Sequence, residues 1–228
     1  PEAPKVHLRA TSKKYSLSTV FVVHPVLTKG PPVSSRVPTQ LISVATAAAI
    51  AATLAPAAMA DTTSEFTISN ITDFHGRLKA NLSTTPKAGD EMGAANVAGI
   101  MNYLRQQNPN TIVTSSGDNQ GGSTFISFIS DDKYTMDFLN AMGTDGSAVG
   151  NHEFDKGYKD LINRIVPGTN DKQLGANIFV AGKQPVQPYT IVEKEGVKVA
   201  LVGTTSNLTP QKSSPANVAG VKFTDSAE

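Results

Sequence analysis

After residue 60, short β-type segments alternate with segments that carry a helical apolar stripe, and this order constrains the fold more than any other feature of the sequence. The β-type segments are Phe66–Thr72, Thr111–Ser116, Asp145–Val149 and Gln173–Val180. The helical segments are marked by apolar residues at helical spacing: Val97, Ile100, Met101 and Leu104, then Tyr158, Leu161, Ile162 and Ile165. This strand–helix–strand order predicts a layered α/β sheet, parallel where helices cross between strands.

Two further segments complete the predicted architecture. A third helix is expected at Tyr134–Met142, where a glycine follows as the carboxyl cap. Near the end of the chain, Tyr189–Lys194 and Val197–Gly203 alternate in hydropathy on either side of Glu195-Gly196. That pattern predicts a β-hairpin with a two-residue turn, and therefore a mixed sheet.

The composition excludes several classes of protein. The chain has 20 Lys and Arg against 19 Asp and Glu, so its net charge of +1 argues against a basic face that binds a nucleic-acid polymer. It has no Cys, which excludes disulfide scaffolds, thiolate zinc sites and cysteine nucleophiles. With 39% hydrophobic and 17% charged residues, it is neither an intrinsically disordered chain nor a multi-span membrane protein.

Residues 33–60 are predicted to be a secretory signal peptide. The Ala-rich apolar run Leu41–Leu54 is followed by Pro56 and by a small-x-small ending at Ala60, after which we expect cleavage. A membrane anchor or a buried core helix is the alternative. An anchor needs about 20 strongly apolar residues, whereas this run is rich in Ala and has Ser and Thr inside it, so the signal peptide is favoured.

The upstream segment, residues 1–32, fits neither a signal peptide nor a domain. Its mildly apolar stretch, Ser16–Leu27, is short and is interrupted by His24 and Pro25. We expect residues 1–32 to be unstructured and not native, and we expect the natural start of the protein near Val33.

Three short polar segments each follow a predicted strand. They are Thr72–Arg77, Ser115–Gly122 and Gly150–Asp155, and they contain both histidines that occur after residue 60, His75 and His152. In open α/β sheets, ligands bind at the carboxyl ends of the strands. We therefore expect the three segments to converge, although they lie far apart in the sequence.

The first two segments supply candidate metal ligands. Asp73 and His75 are two residues apart, so in an extended chain their side chains point the same way and offer a mixed oxygen–nitrogen half-site to a divalent metal. Asp118, preceded by a glycine, supplies a carboxylate that can bridge two cations. Taken singly, an Asp-x-His triplet is more often a polar loop, and the glycine-containing segment is more often an Asn/Gly turn.

The third segment combines a further ligand with an acid–base pair. Asn151 offers a neutral carbonyl oxygen to a metal. His152 lies three residues before Asp155, close enough for the carboxylate to hold the imidazole and favour its protonated form. A protonated imidazole of this kind can act as a general acid or stabilise the charge of a phosphate group.

Taken in order, these segments resemble the opening signature of the calcineurin-like metallophosphoesterases, which is Asp-x-His, then Gly-Asp, then Gly-Asn-His-Glu. The longer runs TDFHGRL, SSGDNQGGS and AVGNHEFDKG are similar to the secreted 5′-nucleotidase / UDP-sugar hydrolase / 2′,3′-cyclic phosphodiesterase family. So are GANI at Gly175–Ile178 and the run Tyr189–Gly203. The resemblance covers residues 65–228, and it implies that residues 61–228 are the amino-terminal part of a metallophosphoesterase domain.

The resemblance implies a phosphoric ester hydrolase, most simply one that releases phosphate from extracellular nucleotides. Its cofactors would be two divalent metal ions, Zn, Mn or similar, and the attacking group would be a hydroxide bound to them. The metal ligands it implies are Asp73, His75, Asp118 and Asn151, with Asp118 shared by both ions. The catalytic residues it implies are His152 and Asp155, and the residues in contact with substrate are Asn151 and His152.

The sequence departs from the family pattern downstream. Family members carry further His ligands and a second, substrate-binding domain, whereas here no His follows His152 and no Arg follows Arg164. We therefore expect the 228 residues alone to hydrolyse little or nothing. Two alternatives stay open: a metallophosphoesterase for a non-nucleotide substrate, and a secreted surface-binding module without catalysis. The signal peptide predicts a secreted, cell-wall or periplasmic protein with no membrane span after cleavage.

Overall fold

The computed structural model describes residues 22–26, 64–85, 87, 89–170 and 172–227. The predicted signal peptide lies outside these residues. Within the upstream segment that was expected to be unstructured, Val22–Val26 forms strand β1, and the rest of that segment also lies outside the described residues. The domain boundaries at residues 32 and 60 therefore stay predictions.

A four-stranded parallel sheet occupies the centre of the described structure. In spatial order its strands are β2 (Thr67–Ile71), β3 (Thr111–Ser115), β4 (Gly146–Ala148) and β5 (Gln173–Leu174). Ser115 pairs with Ile71 on one side and with Ser147 on the other, so the first three strands end at nearly the same level. The predicted parallel α/β arrangement is confirmed, and it places the segments that follow these strands along one edge.

The connections between the parallel strands are helical. Helix α1 (Gly93–Gln107) joins β2 to β3, and helices α2 (Phe125–Phe128) and α3 (Lys133–Met142) join β3 to β4. After β4 the chain forms a 3-10 turn, His152–Phe154, and then a continuous helical stretch made of α4 (Tyr158–Asp160), a π-helical turn (Leu161–Ile165) and α5 (Val166–Gly168). A last short helix, α6, spans Thr209–Lys212.

Helices α1 and α3 cover one face of the parallel sheet. Met101 of α1 and the pair Leu139 and Met142 of α3 are buried against Val113 of β3. Three residues of the apolar stripe expected for α1, Val97, Met101 and Leu104, thus face the core, as an amphipathic helix on a sheet requires, whereas Ile100 is exposed. None of the described helices is both long and apolar enough to span a membrane.

The predicted hairpin covers the opposite face. Strands β7 (Tyr189–Lys194) and β8 (Val197–Val202) pair antiparallel around the two-residue turn Glu195-Gly196, where both residues have positive φ. Strand β1 pairs with the other edge of β8, so the hairpin belongs to a separate three-stranded sheet. The two sheets pack through one apolar cluster: Ile112, Leu174, Val199 and Leu201.

The single strand predicted at Gln173–Val180 is wrong, because the chain divides there. Strand β5 leaves the parallel sheet at Gly175, whose N–H donates to the carbonyl of Gln187 at 2.9 Å. The following strand, β6 (Ile178–Val180), pairs antiparallel with β9 (Val221–Phe223) instead. The local sequence does not reveal this change of partner, because the pairing of β6 depends on β9, which lies more than 40 residues later.

Candidate metal centre

The segments that follow β2 and β3 lie side by side, because their backbones are hydrogen-bonded to each other. The N–H of Asp73 donates to the carbonyl of Gly117, that of His75 to the carbonyl of Asp118, and that of Gly76 to the carbonyl of Asn119, each at 3.1 Å. The pairing of the strands therefore continues past the edge of the sheet into the two polar loops. This brings together the first two predicted segments.

Three of the predicted metal ligands meet where these loops run together. Asp73, His75 and Asp118 each offer one ligand atom, and all three atoms lie within 4.8 Å of one another. The distance from His75 Nε2 to Asp73 Oδ1 is 3.9 Å. Asp118 is buried, whereas Asp73 is exposed and His75 is half-buried. We call these three residues the ligand triad.

All three residues of the ligand triad adopt left-handed backbone conformations. Their φ angles are 53°, 47° and 54° for Asp73, His75 and Asp118. Left-handed φ is uncommon in non-glycine residues and costs about 1–3 kcal/mol at each position, and such strain concentrates at functional sites. In the ligand triad, the strained backbone coincides with the convergence of the three side chains.

The ring of His75 is held in the orientation that a metal ligand needs. Its Nδ1 lies 2.7 Å from the carbonyl oxygen of Gly121. Because a carbonyl oxygen only accepts, Nδ1 carries the hydrogen and the neutral ring keeps its lone pair on Nε2. That nitrogen is the one near Asp73, so the hydrogen bond to Gly121 fixes the tautomer in the way that metal-binding histidines require.

The third predicted segment joins the same edge through the 3-10 turn. The backbone N–H of His152 donates to Asp118 Oδ1 at 2.9 Å, and the rings of His75 and His152 are 4.7 Å apart, edge to face. His152 Nδ1 donates to Asp155 Oδ2 at 3.0 Å, as its sequence spacing predicts. All three polar segments therefore converge.

The charges around His152 favour its protonated form. Burial lowers the pKa of His152, but the hydrogen-bonded Asp155 carboxylate, with smaller contributions from Asp118 and Glu153, raises that pKa above its ordinary value. Burial has the opposite effect on an acid: it raises the pKa of the Asp118 carboxyl, even though His152 and His75 favour the charged form of Asp118. A buried carboxylate of this kind gains from a cation bound beside it.

One peptide group links the two histidines. The carbonyl of Gly121 accepts from His75, and the N–H of Gly122 donates to Asp155 Oδ2 at 2.8 Å. Both glycines have positive φ, and a Cβ on Gly122 would lie 3.1 Å from His75 Nδ1 and 3.3 Å from the His152 ring. Gly121 and Gly122 are thus required by backbone conformation and by space.

Asn151 is placed at the same edge but is held through its backbone. Its carbonyl accepts from the Ser213 hydroxyl at 3.1 Å. The preceding residue, Gly150, packs so closely on Asp118 that a Cβ there would lie 2.2 Å from Asp118 Oδ1. Asn151 therefore lies beside the ligand triad, and its role as a ligand stays a prediction.

Glu153, for which the sequence predicted no role, lies at the centre of these loops. Its side chain is fully buried, and its carboxylate accepts four backbone N–H groups. The donors are Gly150 at 2.6 Å, Asn119 at 2.8 Å, Asp118 at 3.0 Å and Gln120 at 3.3 Å. Burial, and then the nearby Asp118 carboxylate, raise the pKa of Glu153 to about 7, although the N–H donors favour its charge. The sequence signal that could have identified Glu153 is an acidic residue between His152 and Phe154, within the third polar segment.

The chemistry of the donor set fits divalent metal ions. Carboxylate oxygen and imidazole nitrogen without thiolate suit Zn²⁺ and Mn²⁺. The ligand triad supplies both atom types from three side chains whose ligand atoms are within 4.8 Å of one another.

Curated proteins with similar sequences are mainly 5′-nucleotidases, although no family model matches the chain. The chain is 30% identical over 161 residues to the 5′-nucleotidase of Bos taurus, which covers 66% of this chain and 28% of that protein. It is 30% identical over 197 residues to the 5′-nucleotidase of Vibrio parahaemolyticus, covering 81% and 34%. A Listeria monocytogenes cell wall protein, Lmo0130, is 30% identical over 190 residues, covering 71% and 24%.

Solved structures with a similar fold point the same way. A 5′-nucleotidase precursor from Thermus thermophilus matches with a TM-score of 0.60 at 25% identity, over 71% of this chain and 32% of that one. NAD nucleotidase from Haemophilus influenzae matches with a TM-score of 0.60 at 27% identity, over 71% and 30%. The calcineurin-like phosphoesterase YfkN from Bacillus subtilis matches with a TM-score of 0.53 at 25% identity, over 71% and 54%. The chain spans about a third of the length of the two nucleotidase structures.

Proposed function

The chain belongs to the 5′-nucleotidase family of the calcineurin-like metallophosphoesterases and matches its amino-terminal part, and from this membership we propose that it is a metal-dependent phosphoric ester hydrolase acting on nucleotides. The observation that carries the proposal is the meeting of the ligand triad with the hydrogen-bonded pair His152 and Asp155. The residues that would hold metal are then adjacent to the residues that would transfer a proton, as phosphoester hydrolysis requires.

Two divalent ions are the proposed cofactors. Asp73 and His75 would hold one ion, Asn151 would hold the other, and Asp118 would contact both. When bound, such ions neutralise charge on the phosphoryl group and lower the pKa of a coordinated water.

His152 is proposed to serve the phosphoester directly. Its Nδ1–H is engaged by Asp155, which leaves the Nε2–H to donate to a phosphoryl oxygen or to the leaving oxygen. As the bond between phosphorus and the leaving oxygen breaks, transfer of the Nε2 proton lets the alcohol depart neutral. Asp155 stabilises the positive ring before this step and orients it throughout.

The proposed substrate class and location are supported by the relatives and by the predicted signal peptide. Relatives are called 5′-nucleotidase and NAD nucleotidase, which supports a nucleotide phosphoester as the substrate rather than a nucleic-acid polymer. The signal-like residues 33–60 and the similarity to a cell wall protein support a secreted, cell-wall or periplasmic location. A non-nucleotide phosphoester is the second candidate, supported by the likeness to a calcineurin-like phosphoesterase.

The proposal is tested by release of phosphate from AMP and of p-nitrophenol from bis-p-nitrophenyl phosphate, with added Mn²⁺ or Zn²⁺ and with EDTA. The chain spans about a third of the length of the nucleotidase structures. We propose that the 228 residues alone hydrolyse little or nothing. Slow release that EDTA stops and that Asp118→Asn lacks would support the proposal. A chain with neither metal-dependent release nor a metal-dependent rise in melting temperature would refute it, and release from bis-p-nitrophenyl phosphate alone would favour the second candidate.

A further inference from the structure

We infer that Glu153 is a positioning residue for the metal centre, which sets the ligand Asp118 and the turn that carries His152 at a fixed separation. The inference rests on the proposed function, because it concerns the geometry of the same site. The hydrogen bonds of the Glu153 carboxylate all go to backbone N–H groups. It therefore acts through the backbone of the residues that donate these bonds.

The contacts of Glu153 divide between two loops. Its Oε1 accepts from Asn119 and Gln120, both in the loop after β3. Its Oε2 accepts from Asp118 of that loop at 3.0 Å and from Gly150 of the loop after β4 at 2.6 Å. One oxygen atom therefore joins the two loops directly.

Asp118 is hydrogen-bonded to the backbone of both histidines of the site. Its carbonyl accepts from the N–H of His75 at 3.1 Å, and its side chain accepts from the N–H of His152 at 2.9 Å. Since Asp118 also holds a left-handed φ of 54°, its position depends on the contacts around it. A shift at its N–H, which Glu153 fixes, would move its carboxylate and both histidines.

Only a carboxylate satisfies this arrangement. Four N–H groups converge on Glu153, and an ionised carboxylate has enough lone pairs for all of them. A glutamine has nearly the same shape, but its NH₂ group would face two donors in place of one oxygen. Glu153→Gln therefore keeps the packing and removes the attraction on one side, which loosens the loops without leaving a cavity.

A matched control lies at the amino end of β4, whereas the candidate site follows the carboxyl end of that strand. Asp145 is a half-buried carboxylate whose Oδ2 accepts the N–H of Val113 of β3 at 2.8 Å, so it also joins two backbone segments. Among the described residues, its side chain makes no hydrogen bond to the ligand triad or to Glu153. Asp145→Asn should lower the melting temperature as Glu153→Gln does, and leave metal binding unchanged.

The experiment is a titration of the full 228-residue chain with Mn²⁺ alone, with free Mn²⁺ followed by electron paramagnetic resonance. It is run at a temperature where circular dichroism shows every variant folded. We expect Glu153→Gln to weaken Mn²⁺ binding by about 10–100-fold, as the loss of an outer-shell partner does. Glu153→Asp, which keeps both oxygens on a shorter side chain, should weaken binding by less.

The outcomes distinguish a failure of the proposed function from a failure of the positioning role of Glu153. A wild-type chain that binds no Mn²⁺ contradicts the proposed function. A wild-type chain that binds Mn²⁺, with a Glu153→Gln variant that binds equally well but melts earlier, overturns the positioning role and leaves Glu153 a stabiliser of the fold. If neither variant folds, hydrogen exchange of the wild type decides. Mn²⁺ should slow exchange at residues 118–120 and at Gly150 but not at Asn110, which precedes β3 and donates to Asn108. Unchanged exchange at residues 118–120 and at Gly150 would overturn the inference.

Discussion

The two halves of the candidate site are built in different ways. The ligand triad draws Asp73 and His75 from one loop and Asp118 from another, all with left-handed backbone. The pair His152 and Asp155 lies within one short turn, three residues apart, and about a third of each side chain is exposed. The geometry of the ligand triad is therefore imposed by the sheet, whereas the geometry of the pair is local.

This difference determines how much of the site a single substitution should affect. A change in the ligand triad alters contacts between loops that lie more than 40 residues apart, so it should affect metal binding as a whole. A change in the pair should affect the proton on His152 and leave the ligand triad nearly intact. The peptide between Gly121 and Gly122 is hydrogen-bonded to both halves, and Asp118 Oδ1 also accepts the backbone N–H of His152.

The largest effect is expected when the ligand triad loses its buried carboxylate. Asp118→Asn should weaken Mn²⁺ binding by more than about 100-fold, since replacing an outer-shell partner alone costs about 10–100-fold. The measurement is a Mn²⁺ titration. Asp137→Asn is the control, because that carboxylate is part of an exposed ion pair with Lys133. If Asp118→Asn binds Mn²⁺ within tenfold of the wild type, Asp118 is not a ligand of the metal centre.

Metal removal should then distinguish the halves by stability. With Mn²⁺ at a hundred times its Kd, the free energy of unfolding should exceed that in EDTA by ~2.7 kcal/mol, because the ion binds the folded chain. Asp155→Asn should keep most of this difference, and Asp118→Asn should lose it. Urea unfolding with and without EDTA measures both. Equal loss in the two variants would mean that the halves are not separate.

A smaller effect is expected at the peptide that links the halves. Gly122→Ala should destabilise the fold by about 1–3 kcal/mol. The reason is that it places a side chain on a residue with positive φ, which is strained, and puts a Cβ close to both histidines. Gly220→Ala is the matched control, because Gly220 also has positive φ but open space around it, and it should cost about 1 kcal/mol. Equal costs in urea unfolding would show that the space beside the histidines is not tight.

The smallest and most local effect is expected on a proton. Asp155→Asn should lower the pKa of His152, because it removes the hydrogen-bonded carboxylate that raises it. In the wild type this raised pKa stabilises the fold fully below about pH 6.5, and the contribution is lost as the pH rises through the folded-state pKa. Asp155→Asn should therefore be less stable than the wild type mainly at low pH. A pH titration of the histidine ring signals by NMR in the metal-free chain measures the shift, and an unchanged pKa would break the assignment of the pair.

Local sequence pattern was enough to predict much of the fold. Apolar spacing marked helix α1, and the turn at Glu195-Gly196 marked the hairpin and its register. The candidate ligands and the pair at His152 were identified from residue types and spacing after predicted strands. These features depend on neighbours within a few residues, so the chain carries them before it folds.

The tertiary structure decided the features that depend on distant partners. The division of Gln173–Val180 between two sheets follows from pairing with β9, which lies more than 40 residues later. The role of Glu153 arises only when the loops after β3 and β4 meet around it. The left-handed backbone of the ligand triad is likewise held by contacts between loops.

The sequence by itself thus determined which side chains are available and which local elements carry them. The folded chain decided that three segments far apart in sequence share one edge, and that a buried glutamate holds two of them together. The physical reason is that periodicity and turn chemistry act over a few residues. Strand order, burial and the convergence of four N–H groups on one carboxylate exist only once the sheet has formed.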